Sequence, residues 1–288
     1  MCDADREDLG LVTGAELTRR RFGALTGAGA AASLTGAVQA AAAKVVEQDV
    51  TVRTPDGEAD AVLFHPEGKG PWPGVLFWPD IGGLRPAKRE MGRRLAGDGY
   101  VVLVVNPYYR MLRAPELTAI PAGPEQQEKR QAGRATLTED AVARDAKAYV
   151  AWLDDLAQTS KARVGVQGYC MGGALSVRTA AAVPNRIGAV ASFHGGNSLV
   201  SDAATSPHRL IAATQASYLF ATARNDDALK PEVAVGLRDA LAAAGRPGVV
   251  EVFAADHGWC VPDSAKYDRA EAERAWTALL ALYRPTLT

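Results

Sequence analysis

The chain has 288 residues, 48% of them hydrophobic and 23% charged, with a formal net charge of −1. That composition excludes a disordered chain or a mini-protein and fits one large α/β domain. A charge so near zero gives no electrostatic footing for nucleic acid or an anionic membrane.

The N-terminal segment reads as a processing signal. Arg19-Arg20-Arg21 precedes an uncharged stretch over residues 22–43 that ends in an alanine-rich run. This is the pattern of a Tat-type export signal, cleaved near residue 43, and it predicts a periplasmic mature chain. The stretch is mostly Ala, Gly, Thr and Ser, whereas an anchor wants Leu, Ile, Phe and Val. No stable membrane insertion is therefore expected after cleavage, and one domain is expected over residues 44–288. Cys2 falls within the signal, which leaves Cys170 and Cys260 in an oxidising compartment. A disulfide between them is one reading of that pair.

Residues 45–65 alternate polar and apolar around Pro55-Asp56-Gly57, which predicts a hairpin. Short apolar runs then alternate with helix-length segments. Strands are expected at 74–79, 100–105, 162–167, 187–193, 217–222 and 249–254. Helices are expected at 86–97, 138–156, 171–182, 231–244 and 268–282. A polar, proline-containing stretch at about 110–136 is expected to roof whatever site the domain carries. Strands that are apolar throughout imply a mostly parallel sheet with helices on both faces. In such sheets function gathers in the loops beyond the carboxyl ends of the strands. Those loops carry Asp80, Asn106 to Arg110, Cys170, His194, Asp226 with Asp227, and His257.

Gly168-x-Cys170-x-Gly172 lies between a strand and a helix. It has the form of a nucleophile elbow with cysteine in the serine position. The turn is so tight that side chains two before and two after the nucleophile would collide. Cys170 would sit at a helix N-terminus, where the dipole favours a thiolate. The Met171 N–H would point at a developing oxyanion. An acid and then a histidine should follow in the chain, and Asp226 or Asp227, then His257, lie just past two strand ends. His257 would take the thiol proton and the carboxylate would orient the imidazole. His194 precedes the acid, which breaks that order, so it reads as pocket wall or structure. Trp259 and Tyr108 flank the loops and read as apolar walls.

With GYCMGG at 168–173, the aspartate after SYLFATARN, and HGWCVPDS at 257–264, the chain resembles the dienelactone hydrolase family. The resemblance runs from about residue 47 to 284. It implies the α/β-hydrolase fold and hydrolysis of a small-molecule ester or lactone through a cysteine acyl-enzyme, with no metal or organic cofactor. Carried over by residue, it gives Cys170 as nucleophile and His257 as base. The acid is Asp226 or Asp227, with Asp226 preferred, and the oxyanion hole is Ile81 and Met171. Asp80 stands where the family's best-known members have a glutamate that helps control the nucleophile's proton. Arg110 matches one of the family's two substrate-binding arginines, and Val261 replaces the other. A different class of reading is a periplasmic binding or thiol-redox protein built on Cys170 and Cys260.

Overall fold

Five consecutive apolar side chains make Val101–Val105 a strand that can lie only inside a sheet covered on both faces, and all five are buried. The computed structural model describes residues 44–288; the expected export signal lies outside them. The strands are β1 (Val45–Thr54), β2 (Gly57–Pro66), β3 (Gly74–Trp78), β4 (Val101–Val105), β5 (Val164–Tyr169), β6 (Ile187–Phe193), β7 (Ser217–Ala223) and β8 (Gly248–Phe253). They form one sheet in the order β1-β2-β4-β3-β5-β6-β7-β8. The β1–β2 hairpin pairs antiparallel and joins β4 antiparallel; every pairing from β4 onward is parallel.

The first helices along the chain are α1 (Pro86–Gly97), α2 (Ala114–Ala119), α3 (Pro124–Ala135), α4 (Glu139–Asp155) and α5 (Met171–Ala182). The rest are α6 (Pro207–Leu210), α7 (Arg224–Leu229), α8 (Glu232–Ala244) and α9 (Arg269–Thr286). Two apolar clusters cover the two faces of the sheet. Leu76, Trp78, Leu103 and Val105 pack with α4, α5 and α8. The intervening Val75, Phe77, Val102 and Val104 pack with α1 and α9. Each such side chain contributes about 1.5–3 kcal/mol when fully buried, so truncating Leu103 to alanine would cost about 2–5 kcal/mol. Among the described residues no helix is long and apolar enough to cross a membrane.

The expected elements form, with two differences. Residues 114–119 and 124–135 are helical, although their mean polarity and prolines read as a roof without a legible conformation. Pro115 and Pro124 sit in first turns, where a missing N–H costs nothing. Residues 224–229, which lie between an expected strand and an expected helix, form the short helix α7. From β3 the chain crosses to β4 on one side, and from β5 it crosses to β6 on the other. The sheet therefore has its crevice at the carboxyl ends of β3 and β5.

Candidate active site

The end of β5 turns into α5 within one residue. Cys170 takes φ 53° and ψ −119°, a left-handed conformation that disfavours any residue with a Cβ. A Cβ on Gly168 would stand 1.9 Å from the Gly172 carbonyl oxygen. A Cβ on Gly172 would stand 2.5 Å from the Trp78 carbonyl oxygen. Both glycines are thus required, Gly168 by the turn itself and Gly172 by the neighbouring strand β3. The Cys170 N–H donates to the Phe193 carbonyl at 3.0 Å and also meets His194 Nδ1 at 3.1 Å.

His257 follows β8, and α7 begins where β7 ends. The His257 Nδ1–H donates to Asp226 Oδ2 at 2.7 Å. The His257 backbone N–H donates to Asn225 Oδ1 at 2.8 Å, which ties the histidine loop to the same helix. The carboxylate on the imidazole is that of Asp226 and not of Asp227. Hydrogen bonds to Asp226 and to Cys170 raise the imidazole to about 10, against the opposing effect of burial. At neutral pH His257 is therefore an imidazolium between a carboxylate and a sulfur. Nδ1 belongs to Asp226, which leaves Nε2 as the ring nitrogen available to Cys170.

Ile81, after β3, and Met171, first in α5, donate their N–H to no acceptor among the described residues. They are free to bind an oxyanion, and Ile81 lines the cleft above Cys170. Tyr108 is buried behind that loop and donates its hydroxyl to the Ile81 carbonyl at 3.0 Å. It therefore orients the Ile81 peptide rather than walling the cleft. Trp259 is also fully buried, stacked on Phe253 at 5.1 Å and edge-on to His194 at 5.3 Å. It supports the site from beneath, so the expectation that it walls the cleft needs correction.

Asp80 is locked in charge. Its carboxylate accepts the Gly82 N–H at 2.8 Å, two Arg85 N–H groups at 2.6 and 3.0 Å, and pairs with Lys88 at 2.8 Å. Burial works to raise its pKa, but Lys88 and Arg85 prevail and hold it far below the usual carboxylate range. Held in this way, Asp80 braces the loop that carries Ile81 and Gly82. Arg85 turns its remaining edge to Asp263 at 2.7 and 2.8 Å, strapping that loop to the one that carries His257.

Arg110 does not face the cleft. Its guanidinium binds Asp145 at 2.7 and 2.9 Å and Asp56 at 2.6 Å, beside the β1–β2 turn. The substrate-binding role expected from its place after β4 is not one this geometry allows. The cleft, about 340 Å³, is lined instead by Arg85 and by Arg130 from the roof helix α3, with Val261 on the opposite loop. The Nε of Arg130 is buried without a partner. Sequence reading missed Arg130, because a helix in a polar stretch gives no sign of which side faces inward. It also missed Lys88, although Lys88 shares the buried stripe of Ala87, Met91 and Leu95 on α1. A lysine at a core position of a helical stripe signals a buried ion partner.

Among the described residues, Cys170 and Cys260 are both free. Cys170 lines the cleft, whereas Cys260 lines a separate cavity of about 100 Å³ with Tyr169, Phe193 and Trp276. Burial pushes the Cys260 thiol up to about 12. Among the described residues no group of three His, Cys, Asp or Glu side chains is placed to hold a metal ion.

Comparison with known proteins places this architecture. A curated relative from Synechocystis sp., named "Putative carboxymethylenebutenolidase", is 29% identical over 149 residues, covering 51% of this chain and 57% of that protein. The chain thus matches little more than half the length of that relative. A Klebsiella pneumoniae structure titled "Putative Dienelactone Hydrolase" superposes with a TM-score of 0.71 at 21% identity, covering 83% of this chain and 98% of that one. A dienelactone hydrolase-like promiscuous phosphotriesterase from metagenomic libraries superposes with a TM-score of 0.67 at 22% identity, covering 85% and 99%. At such identities the superpositions speak for the fold alone. The sequence profile described as the Dienelactone hydrolase family matches residues 59–287, from β2 to the end of α9. The chain belongs to the dienelactone hydrolase family and has the α/β-hydrolase fold.

Proposed function

We propose that the protein hydrolyses small carboxylic esters or lactones through a thioester at Cys170. The observation that carries this reading is the imidazole of His257, bonded to Asp226 at 2.7 Å and raised to about 10 by Asp226 and Cys170. The Cys170 sulfur attacks the substrate carbonyl carbon, and the negative charge that develops on oxygen meets the Ile81 and Met171 N–H groups. As the C–O bond breaks, the leaving alkoxide takes the Nε2 proton of His257, and the acyl group stays on sulfur. A water then gives its proton to Nε2 and attacks the thioester carbonyl. The C–S bond breaks, the acid departs, and the thiolate–imidazolium pair is restored. Asp226 holds Nδ1 protonated throughout.

Arg130 is the cation that this reading assigns to substrate. Arg85 is saturated by two carboxylates, while Arg130 lines the cleft with its Nε unpartnered. Esters that carry an acidic group beyond the acyl carbon would therefore bind better. The test is mass spectrometry of the protein quenched during turnover of an activated ester. An acyl adduct on the peptide containing Cys170, absent in Cys170→Ala, is expected; turnover that survives Cys170→Ala would sink the proposal. A dithiol redox role would need Cys170 and Cys260 to pair, and they line separate cavities. We also propose that residues 1–43 direct export to the periplasm. N-terminal sequencing of the fractionated protein should start near residue 44, and an intact cytosolic chain would overturn this.

A further inference from the structure

Among the described residues, two besides glycine have positive φ, Cys170 at 53° and His194 at 41°. They are neighbours in space. β5 and β6 pair in register as far as Tyr169 and Phe193, and Cys170 and His194 are the next residue of each. The elbow accounts for the first strained position. The hydrolytic steps above use nothing of the second, yet strain of this kind persists only where the surroundings over-determine it.

Three contacts over-determine His194. Its backbone N–H donates to the Ala221 carbonyl at 2.8 Å, which anchors it to β7. Its Nδ1 accepts the Cys170 N–H at 3.1 Å. Its ring lies 4.6 Å from the His257 ring, 5.3 Å from Trp259 and 6.0 Å from Tyr169. An Nδ1 that accepts must keep its lone pair, so the ring proton sits on Nε2, which is buried and unpartnered. Burial, then the charges of His257 and Lys88, hold this imidazole neutral, against the opposing effects of Asp80 and a backbone hydrogen bond.

We propose that His194 is a positioning residue for the nucleophile: its neutral Nδ1 ties the Cys170 amide into the elbow, and its ring confines His257 to the side facing the sulfur. It takes up no proton in the cycle. The proposal rests on Cys170 and His257 being the reacting pair, and its test reads thiol reactivity as well as turnover so that the two ideas can fail separately.

The experiment compares wild type with His194→Leu, His194→Asn and His194→Gln. Two rates are measured: iodoacetamide alkylation of Cys170 across pH, and the acylation burst with para-nitrophenyl acetate. The leucine variant should lose about 10²-fold in burst rate, as expected for an ångström-scale misplacement, with KM nearly unchanged. Its alkylation should slow in parallel. Asparagine can place an acceptor where Nδ1 was and should recover most of both rates; glutamine, whose amide reaches the Nε2 position, should not. Should the leucine variant fail to fold, the asparagine–glutamine contrast carries the test. Equal rates in those two variants, or wild-type rates in the leucine variant, overturn the proposal. Alkylation that follows this pattern without any ester turnover would overturn the hydrolytic reading and leave His194 as the positioning residue.

Discussion

Two histidines stand 4.6 Å apart, ring to ring, at the carboxyl ends of neighbouring parts of one sheet, and they are held in opposite states. His257, after β8, is half exposed and bonded to a carboxylate, and Asp226 and Cys170 raise its pKa to about 10. His194, after β6, is fully buried and meets an N–H at Nδ1, and its pKa falls well below 6.5. The residue type sets neither outcome. A charged acceptor beside the ring favours the imidazolium, and burial beside other cations favours the neutral ring. One site thereby holds a charged and a neutral imidazole side by side.

The largest effect should come from removing the charged ring. His257→Ala should lower kcat/KM for an activated ester by about 10³–10⁴-fold, measured in steady state. Within tenfold of wild type, the contrast between the two rings would have no catalytic meaning. Next comes the carboxylate that sets it apart. Asp226→Asn should cost about 10²–10⁴-fold, whereas Asp227→Asn should stay within about 2-fold; the reverse result would move the acid to Asp227.

A stability contrast follows from the same two pKa values. His257 is raised in the fold, so its contribution is full below pH 6.5 and is lost as pH rises through about 10. His194 is depressed, so its contribution is full above pH 6.5 and is lost as pH falls below it. Thermal melts should show His257→Ala flattening the alkaline limb and His194→Asn the acid limb. Solvent screening at half-exposed His257 should make its limb the shallower of the two.

The arginines provide a further contrast, between a cation in a structural pair and one in the cleft. Arg110→Ala leaves Asp145, 1% exposed, without its guanidinium and should cost about 3–5 kcal/mol in chemical denaturation, with ester selectivity unchanged. Arg130→Ala should leave stability nearly unchanged. It should raise KM for carboxylate-bearing esters by about 10-fold relative to neutral ones, near 1.4 kcal/mol. Equal effects on both ester classes would remove Arg130 from substrate recognition.

Much of the site was legible because its constraints are local. Gly168 is forced by the Gly172 carbonyl 1.9 Å away inside the turn, so that half of the elbow is written in adjacent residues, whereas Gly172 is forced by the Trp78 carbonyl of β3 at 2.5 Å. Asp226 and His257 announce themselves by ending strands. Arg110 misled because its place after β4 specifies a loop but not a direction; Asp56 and Asp145 pull it to the other side of that loop. Arg130 and Lys88 were hidden for a related reason, since their partners and their cleft come from distant segments.

The sequence by itself determined the sheet, its crossing helices and the chain order of thiol, acid and base, because apolar periodicity and turn chemistry act over a few residues. Only the tertiary structure decided which aspartate holds His257, which arginine reaches the cleft, and why Asp80 stays ionised. It also decided that His194 is neutral while His257 is charged. Those outcomes depend on distances and burial between strands far apart in the chain, and electrostatic energies change steeply with both.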